Sequence, residues 1–292
     1  MTSAADRLRP VPAALSTEGE VIAALEAIID GPCSDARATT AVLVTSGLLA
    51  VSIPATFGGA DISNAVVADA VSRLSAWHAT TAELFVRHLV ALELLRTSGT
   101  TEQRRAVYSR VVLGEVFELA SHAGDRPLPR LERSGFSFVA EPFSAPDATH
   151  GAIWRVLVAQ GTGTSDVAAI FAADRRQDRD AGPSSNAVSV SPDNVLELGP
   201  DALRLAALMQ AFLQGASCRG RHDPDHSEGT TGDGLASAVE LELLDAIVLK
   251  TASIIDGIQV DLPPVADMRI DRLCRALQTA CARCSDEITR RQ

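Results

Sequence analysis

The chain has 292 residues, 46% of them hydrophobic, enough for one large domain or two smaller ones with real cores. Its net charge of −11 lacks the basic footprint that sequence-independent nucleic-acid binding needs. The amino terminus has no signal-peptide core, and no segment approaches the roughly 18 uninterrupted apolar residues of a membrane span, so a soluble cytoplasmic protein is expected. In chain order, TEGEVIAALEAIID (17–30) opens with Ser16 or Thr17 as N-cap and places Val21, Ile22, Leu25, Ile28 and Ile29 at helical spacing. Gly31-Pro32 ends it. A second helix is predicted over 35–49, before the corner SIPATFGG. In that corner Pro54 biases Ile53 to an extended backbone, while Gly58-Gly59 permits positive φ and close approach. Ser63 caps a helix over 63–76, and a very apolar one follows at 80–97. Another over 101–113 is opened by Thr101 with Arg104 or by Thr100 with Gln103 in capping-box spacing.

The first 120 residues thus read as an all-helical block. From Gly124 the texture changes to short alternating or β-branched runs, GFSFVAE, AIWRVLVAQ, VAAIFAAD and AVSVS, with a charged loop at 174–186. From 201 helices return, over DALRLAALMQAFLQGAS, 240–259 and 266–291. The predicted architecture is mainly α with a small central β domain: 1–120 helical, 121–198 β, 199–292 helical. The ELELLD run at 240–245 reads as a solvated face. Aromatics are only 4%, so Ala, Leu and Val must fill the core, which favours close-packed helices.

Five cysteines fit a reducing compartment, and helical spacing explains Cys274, Cys281 and Cys284 as buried or half-buried thiols. His222 and His226 have metal-like i,i+4 spacing with Asp223 and Asp225 nearby, but the surrounding Pro and Gly argue against a helix, so no metal site is expected. Arg219 and Arg221 are read as loop residues.

GLLAVSIPATFGGADIS resembles the acyl-CoA dehydrogenase superfamily, in which a "GL…vP…yGG" turn joins two helices. The resemblance continues through the apolar helix ending in GTTEQRR, the closing GEVFELA, the strand opened by GFSFVAE, and SPDNV before the C-terminal helices. It implies the family's three-part fold, with a β barrel or sandwich in the middle and a C-terminal bundle, and the texture is nearest the flavin monooxygenase-like branch. It also implies FAD between the β domain and the C-terminal helices, with the acyl substrate against its ring.

Here the sequence departs from the pattern. The flavin-contacting stretch is reduced to LASHAGD (119–125), leaving Ser121, Gly124 and Asp125 as cofactor contacts if flavin binds. FSAPDATHG (143–151) lacks the Trp-Ile-Thr pattern, and the pyrophosphate motifs are missing. No carboxylate stands where the α-proton base is placed, apart from Asp201 at a helix start, and the late glutamate position lies beyond the sequence. The expectation is therefore an enzyme without flavin. It would cyclise or isomerise an acyl or polyketide-like substrate in biosynthesis, by shape, orientation and a few polar groups. A FAD-dependent dehydrogenase or monooxygenase, and a non-catalytic subunit of a heteromeric relative, are the alternatives. Candidate catalytic residues are His122, Asp125 and His88, the last also readable as a satisfied core histidine. Candidate substrate contacts are Phe85, Leu119, Ser121, His150 and Trp154, which could fill vacated ring volume. The family's habit implies a homodimer or homotetramer, or a heteromer with a homologue.

Overall fold

The computed structural model describes residues 11–31, 36–120, 128–140, 153–161, 165–173, 188–222, 234–260 and 267–289. Helix α1 (Glu18–Ile29) opens on the capping box of Thr17 and Glu20, and the hydrogen bonds from Ser16 and Thr17 hold the Glu20 carboxyl below its usual range. Helix α2 (Ala36–Thr45) stops four residues short of the predicted 49. Thr45 and Ser46 donate their hydroxyls back to carbonyls at 41–43, and Gly47 then takes φ +84°. A Cβ there would lie 2.2 Å from the Ala13 carbonyl oxygen, so only glycine fits the turn.

The corner that follows is two 3₁₀ turns, Leu48–Ala50 and Ala55–Phe57. Gly58 adopts φ +85°, and Gly59 packs so tightly on Ile53 that a Cβ would meet its carbonyl oxygen at 2.1 Å. Phe57 turns its ring edge-to-face onto Tyr108 at 5.2 Å under the Arg104 guanidinium. Burial drives the Tyr108 phenol well above its ordinary range.

Helices α3 (Asn64–Trp77), α4 (Ala79–Ser98) and α5 (Thr101–Val112) follow the predicted bounds closely. The capping box of α5 is Thr100 with Gln103. Ser63 precedes α3 but does not cap it with its side chain, because its hydroxyl binds Glu18 at 2.5 Å. Asp256, from a later helix, instead accepts the Asn64 N–H at 3.0 Å and the Asn64 amide at 2.6 Å.

The strands are β1 (Phe117–Ala120), β2 (Leu131–Ser134), β3 (Ser137–Ala140), β4 (Trp154–Gln160), β5 (Asp166–Ala172), β6 (Val188–Val190) and β7 (Val195–Leu198). They form a four-stranded sheet in the order β1-β4-β5-β7, with β1 parallel to β4 and the other pairs antiparallel, and a three-stranded antiparallel sheet β2-β3-β6. The strand period of two sorts the larger sheet's residues. Val156, Ala168, Ile170, Leu196 and Leu198 join the helical core, whereas Leu157, Ala159, Val167, Ala169 and Phe171 form a second core with Leu131, Ala140 and Val190 of the smaller sheet. Burial on both faces explains the nearly continuous apolar runs in β4 and β5. The helical reading of the first 120 residues is corrected by β1. Four residues are too few to show a period, and what makes FELA a strand is its pairing with Trp154–Leu157.

Helices α6 (Pro200–Arg221), α7 (Gly234–Val260) and α8 (Asp267–Thr289) complete the fold. Arg219 and Arg221 end α6 rather than lying in a loop. Arg219 bonds Ser72 at 3.1 Å and pairs with Asp245 and with Asp69. The 240–245 run is accordingly only partly a solvated face, since Asp245 meets Arg219 and Leu244 is fully buried. Helix α6 crosses α3 so closely that a Cβ on Gly220 would fall 1.8 Å from the Ser72 carbonyl oxygen. Gly220→Ala must push two helix backbones apart, and a loss of roughly 1–3 kcal/mol or more in urea denaturation is expected.

Candidate functional site

A cavity of about 660 Å³ opens where α4, β1, α6 and α8 meet. Helical periodicity builds it. Ala79, Glu83, Val86, Arg87 and Val90 form one stripe of α4, and Gln210, Ala211, Gln214, Ser217, Cys218 and Arg221 one stripe of α6. Gln278, Cys281 and Ser285 form a third stripe on α8, and Leu119 of β1 closes the inner end. Val86, Val90, Leu119 and Ala211 make an apolar wall. Three amides, two serine hydroxyls, two thiols, two guanidiniums and the Glu83 carboxylate supply the cavity's polar lining.

Several of these groups are held in place. Ser217 accepts hydrogen bonds from the Ser75 hydroxyl at 2.9 Å and from the Arg221 guanidinium at 2.6 Å, so its own proton is left to donate into the cavity. Arg87 bonds the buried Glu118 carboxylate at 2.9 Å and pairs with Glu83 one turn earlier on α4. Glu118 sits opposite Arg155 in the β1–β4 register. The cavity's only carboxylate among the described residues, Glu83, is thus already neutralised by Arg87.

The residues singled out from sequence scatter. Leu119 lines the cavity. Phe85 is fully buried in the helical core, one residue from the α4 stripe. Trp154 lies outside the cavity lining, in a stack of its own: its ring is parallel to Phe117 (5.8 Å, 12°), the Arg110 guanidinium covers it at 4.4 Å, and its Nε1–H donates to Glu115 at 2.6 Å. Those contacts fasten α5 to the sheet. Asp201 pairs with Arg204 in the first turn of α6 at 3.6 Å. Ser121, His122, Gly124, Asp125, His150 and His226 lie outside the described residues.

His88 has 0% exposure. Its Nδ1 accepts the Phe117 N–H at 3.1 Å, so the ring proton resides on Nε2 and is donated to the Leu49 carbonyl at 3.0 Å. Burial lowers its pKa from 6.5 to about 4, against the opposing pull of the Leu49 and Phe117 carbonyls, each 3.0 Å from a ring nitrogen. The ring is neutral and enclosed. It ties the corner at Leu49 to β1 at Phe117, which is the core reading of this histidine.

The sequence reading of Cys274, Cys281 and Cys284 as buried or half-buried thiols holds, but it does not single out Cys218. Cys218 and His222 occupy i and i+4 at the end of α6, and the Cys218 sulfur lies 3.7 Å from His222 Nδ1 and 3.8 Å from the Cys281 carbonyl oxygen on α8. The i,i+4 spacing was the available signal; the partner sixty-three residues away carries none. Among the described residues no group of three or more His, Cys, Asp or Glu side chains is arranged to hold a metal ion, and no helix is long and apolar enough to cross a membrane.

Residues 20–115 match the family model of the acyl-CoA dehydrogenase N-terminal domain. No curated protein sequence matches the chain. Among solved structures it is similar to FMN-bound TdsC, a dibenzothiophene monooxygenase from Paenibacillus sp. A11-2, with a TM-score of 0.66 and 17% identity over 90% of this chain and 81% of that one. It is similar to the methanesulfinate monooxygenase MsuC from Pseudomonas fluorescens, with a TM-score of 0.60 and 17% identity over 96% and 82%. A third is KijD3 in complex with FMN and dTDP-3-amino-2,3,6-trideoxy-4-keto-3-methyl-D-glucose, with a TM-score of 0.64 and 18% identity over 99% and 83%. At these identities the likeness is one of fold: a mostly helical acyl-CoA dehydrogenase-like chain with a small β region.

Proposed function

We propose that this acyl-CoA dehydrogenase-fold chain is an enzyme that binds a reduced flavin at the α4–β1–α6–α8 cavity and uses it to modify a small organic molecule. The observation that carries the reading is the cavity's chemistry. It offers three glutamine amides, the Ser217 proton and the Arg221 guanidinium around an apolar wall, yet its one described carboxylate is spent on Arg87. Its thiols aside, such a site binds and orients without a free carboxylate to serve as general base, as suits a cofactor that carries the reaction.

The residues fit the group. A flavin has a pyrimidine edge with both donors and acceptors, which carboxamides can match, and an apolar xylene edge that Val86, Val90 and Leu119 can pack against. Arg221 with Ser217 suits a phosphate. The volume lies in the range of about 300–1,000 Å³ usual for small-molecule sites. Two of the three structural relatives named above hold FMN. When bound, a reduced flavin supplies the electrons for oxygen activation or substrate reduction. The chain's residues orient ring and substrate, and the wall of β1 and α4 keeps water from one face. Ser121, Gly124 and Asp125 follow within six residues of Leu119 in the chain, and we assign them further flavin contacts, with His122 and His150 toward the substrate.

The departures from the family pattern at 119–125 and 143–151 favour a second reading, in which the scaffold cyclises an acyl substrate without flavin. Anaerobic titration with reduced FMN, followed by absorbance, separates the two. Saturation near one flavin per chain supports the first, and an unperturbed flavin spectrum leaves the second. Assembly as a dimer or tetramer, tested by light scattering, belongs to either.

A further inference from the structure

Two thiols share the cavity wall. Cys218 on α6 and Cys281 on α8 both line it, Cys284 is buried one turn further along α8, and all are reduced. The Cys218 thiol donates to the Cys281 backbone carbonyl at 3.8 Å, which sets the two residues side by side on facing helices. At the other side of the same sulfur is the His222 ring. Its Nδ1–H is donated to the Cys218 carbonyl at 2.6 Å and lies 3.7 Å from the sulfur. Arg221 precedes that histidine. One sulfur therefore lies between an imidazole and the backbone of Cys281, inside a cavity that small molecules can enter and that the Cys281 side chain and Arg221 also line.

We propose that Cys218 and Cys281 form a peroxide-sensitive thiol pair that closes into a reversible disulfide across the cavity. The co-reactant is a hydroperoxide. The Cys218 thiolate attacks the peroxide, an S–O bond forms as the O–O bond breaks, and the leaving oxygen takes a proton and departs as water or alcohol. The sulfur becomes a sulfenic acid and the peroxide is reduced by two electrons. Cys281 then attacks the Cys218 sulfur, an S–S bond forms as the S–O bond breaks, and the departing hydroxide takes the Cys281 proton and leaves as water. A dithiol reductant reverses the change.

The electrostatics agree with this division of roles. The neighbouring Cys281 side chain, then the imidazole and guanidinium charges, hold the Cys218 thiol below its ordinary value against the cost of burial. The same contact pushes Cys281 up, so that it keeps its proton and serves as the resolving thiol. His222 is raised by its hydrogen bond to Cys218, which favours the imidazolium beside the thiolate. Cys274, half-buried near Asp271, is pushed up by burial and by that carboxylate and is expected to be inert.

Closing the bond would staple α6 to α8 along the polar side of the cavity, at Gln214, Ser217 and Gln278, so oxidation should shut out whatever the cavity binds. The inference does not rest on what that ligand is.

Peptide mapping of the full chain after brief treatment with near-stoichiometric hydrogen peroxide tests it. The expected result is a Cys218–Cys281 linked peptide, with an intact mass two hydrogens lighter that dithiothreitol restores. In Cys281→Ser the oxidation should stop at Cys218 as a dimedone-trappable sulfenic acid, and Cys218 should react roughly tenfold or more faster than Cys274. Absence of the linked peptide in the wild-type chain, or dimedone label spread evenly over Cys218, Cys274 and Cys284, overturns the proposal. The wild-type map carries the test even if a serine variant folds poorly.

Discussion

His88→Leu should destabilise the protein by roughly 2–6 kcal/mol although the residue lies off the cavity. Leucine fills the volume but cannot bond, so the Leu49 carbonyl and the Phe117 N–H would both be left buried and unsatisfied, at about 1–3 kcal/mol each. Urea denaturation should show a lower midpoint at an unchanged slope. His88→Gln, which keeps one donor and one acceptor, should recover part of the loss. A variant as stable as the wild type would mean that the corner and the sheet are held by something else.

The same histidine makes stability depend on pH. In the fold its pKa is about 4, and in the unfolded chain about 6.5. Between those values the unfolded chain binds the proton that the fold refuses, so stability rises with pH. The contribution is complete above the unfolded value and is lost as pH falls from 6.5 toward 4, in total roughly 3 kcal/mol. Wild type and His88→Leu compared between about pH 7 and about pH 4 should differ by that slope, which cancels the other histidines.

Much of the scaffold was legible because it is local. Thr17 is one of the two N-caps read for α1 and Thr100 with Gln103 one of the two openings read for α5, and both are found, while the Pro54 and Gly58-Gly59 corner reads as a packed turn and is one. What failed was nonlocal. FELA could not announce itself as a strand before Trp154–Leu157 was known to lie beside it, and Ser63 lost its capping role to Asp256, which is 192 residues away from the amide that it caps.

The site was harder still. Leu119 was singled out, but the cavity's polar side is assembled from Gln210, Gln214, Ser217 and Gln278, scattered on two helices whose packing no motif records. Trp154 reads as a residue that could fill ring volume. Its partners Phe117, Glu115 and Arg110, which hold it against the sheet instead, lie well before it in the sequence, Glu115 being 39 residues away. The missing family motifs pointed to loss of the flavin, whereas the cavity chemistry supports keeping one, because an amide-lined pocket needs none of those motifs to offer donors and acceptors.

That argument makes Gln214→Leu with Gln278→Leu the sharpest functional change. Both side chains are exposed at the cavity and neither has a protein hydrogen-bond partner among the described residues, so the fold should be unaffected. Each lost ligand bond is worth about 0.5–1.5 kcal/mol, and the pair together should weaken flavin binding roughly tenfold or more. Unaltered thermal unfolding alongside weakened binding would locate the effect in the site rather than in the scaffold.

The most direct measurement is the anaerobic titration of reduced FMN into the wild-type chain and this double variant side by side. The account predicts saturable binding near one flavin per chain for the wild type and a midpoint shifted at least about tenfold upward for the variant. Identical curves for the two proteins, or a flavin spectrum that neither perturbs, would contradict it.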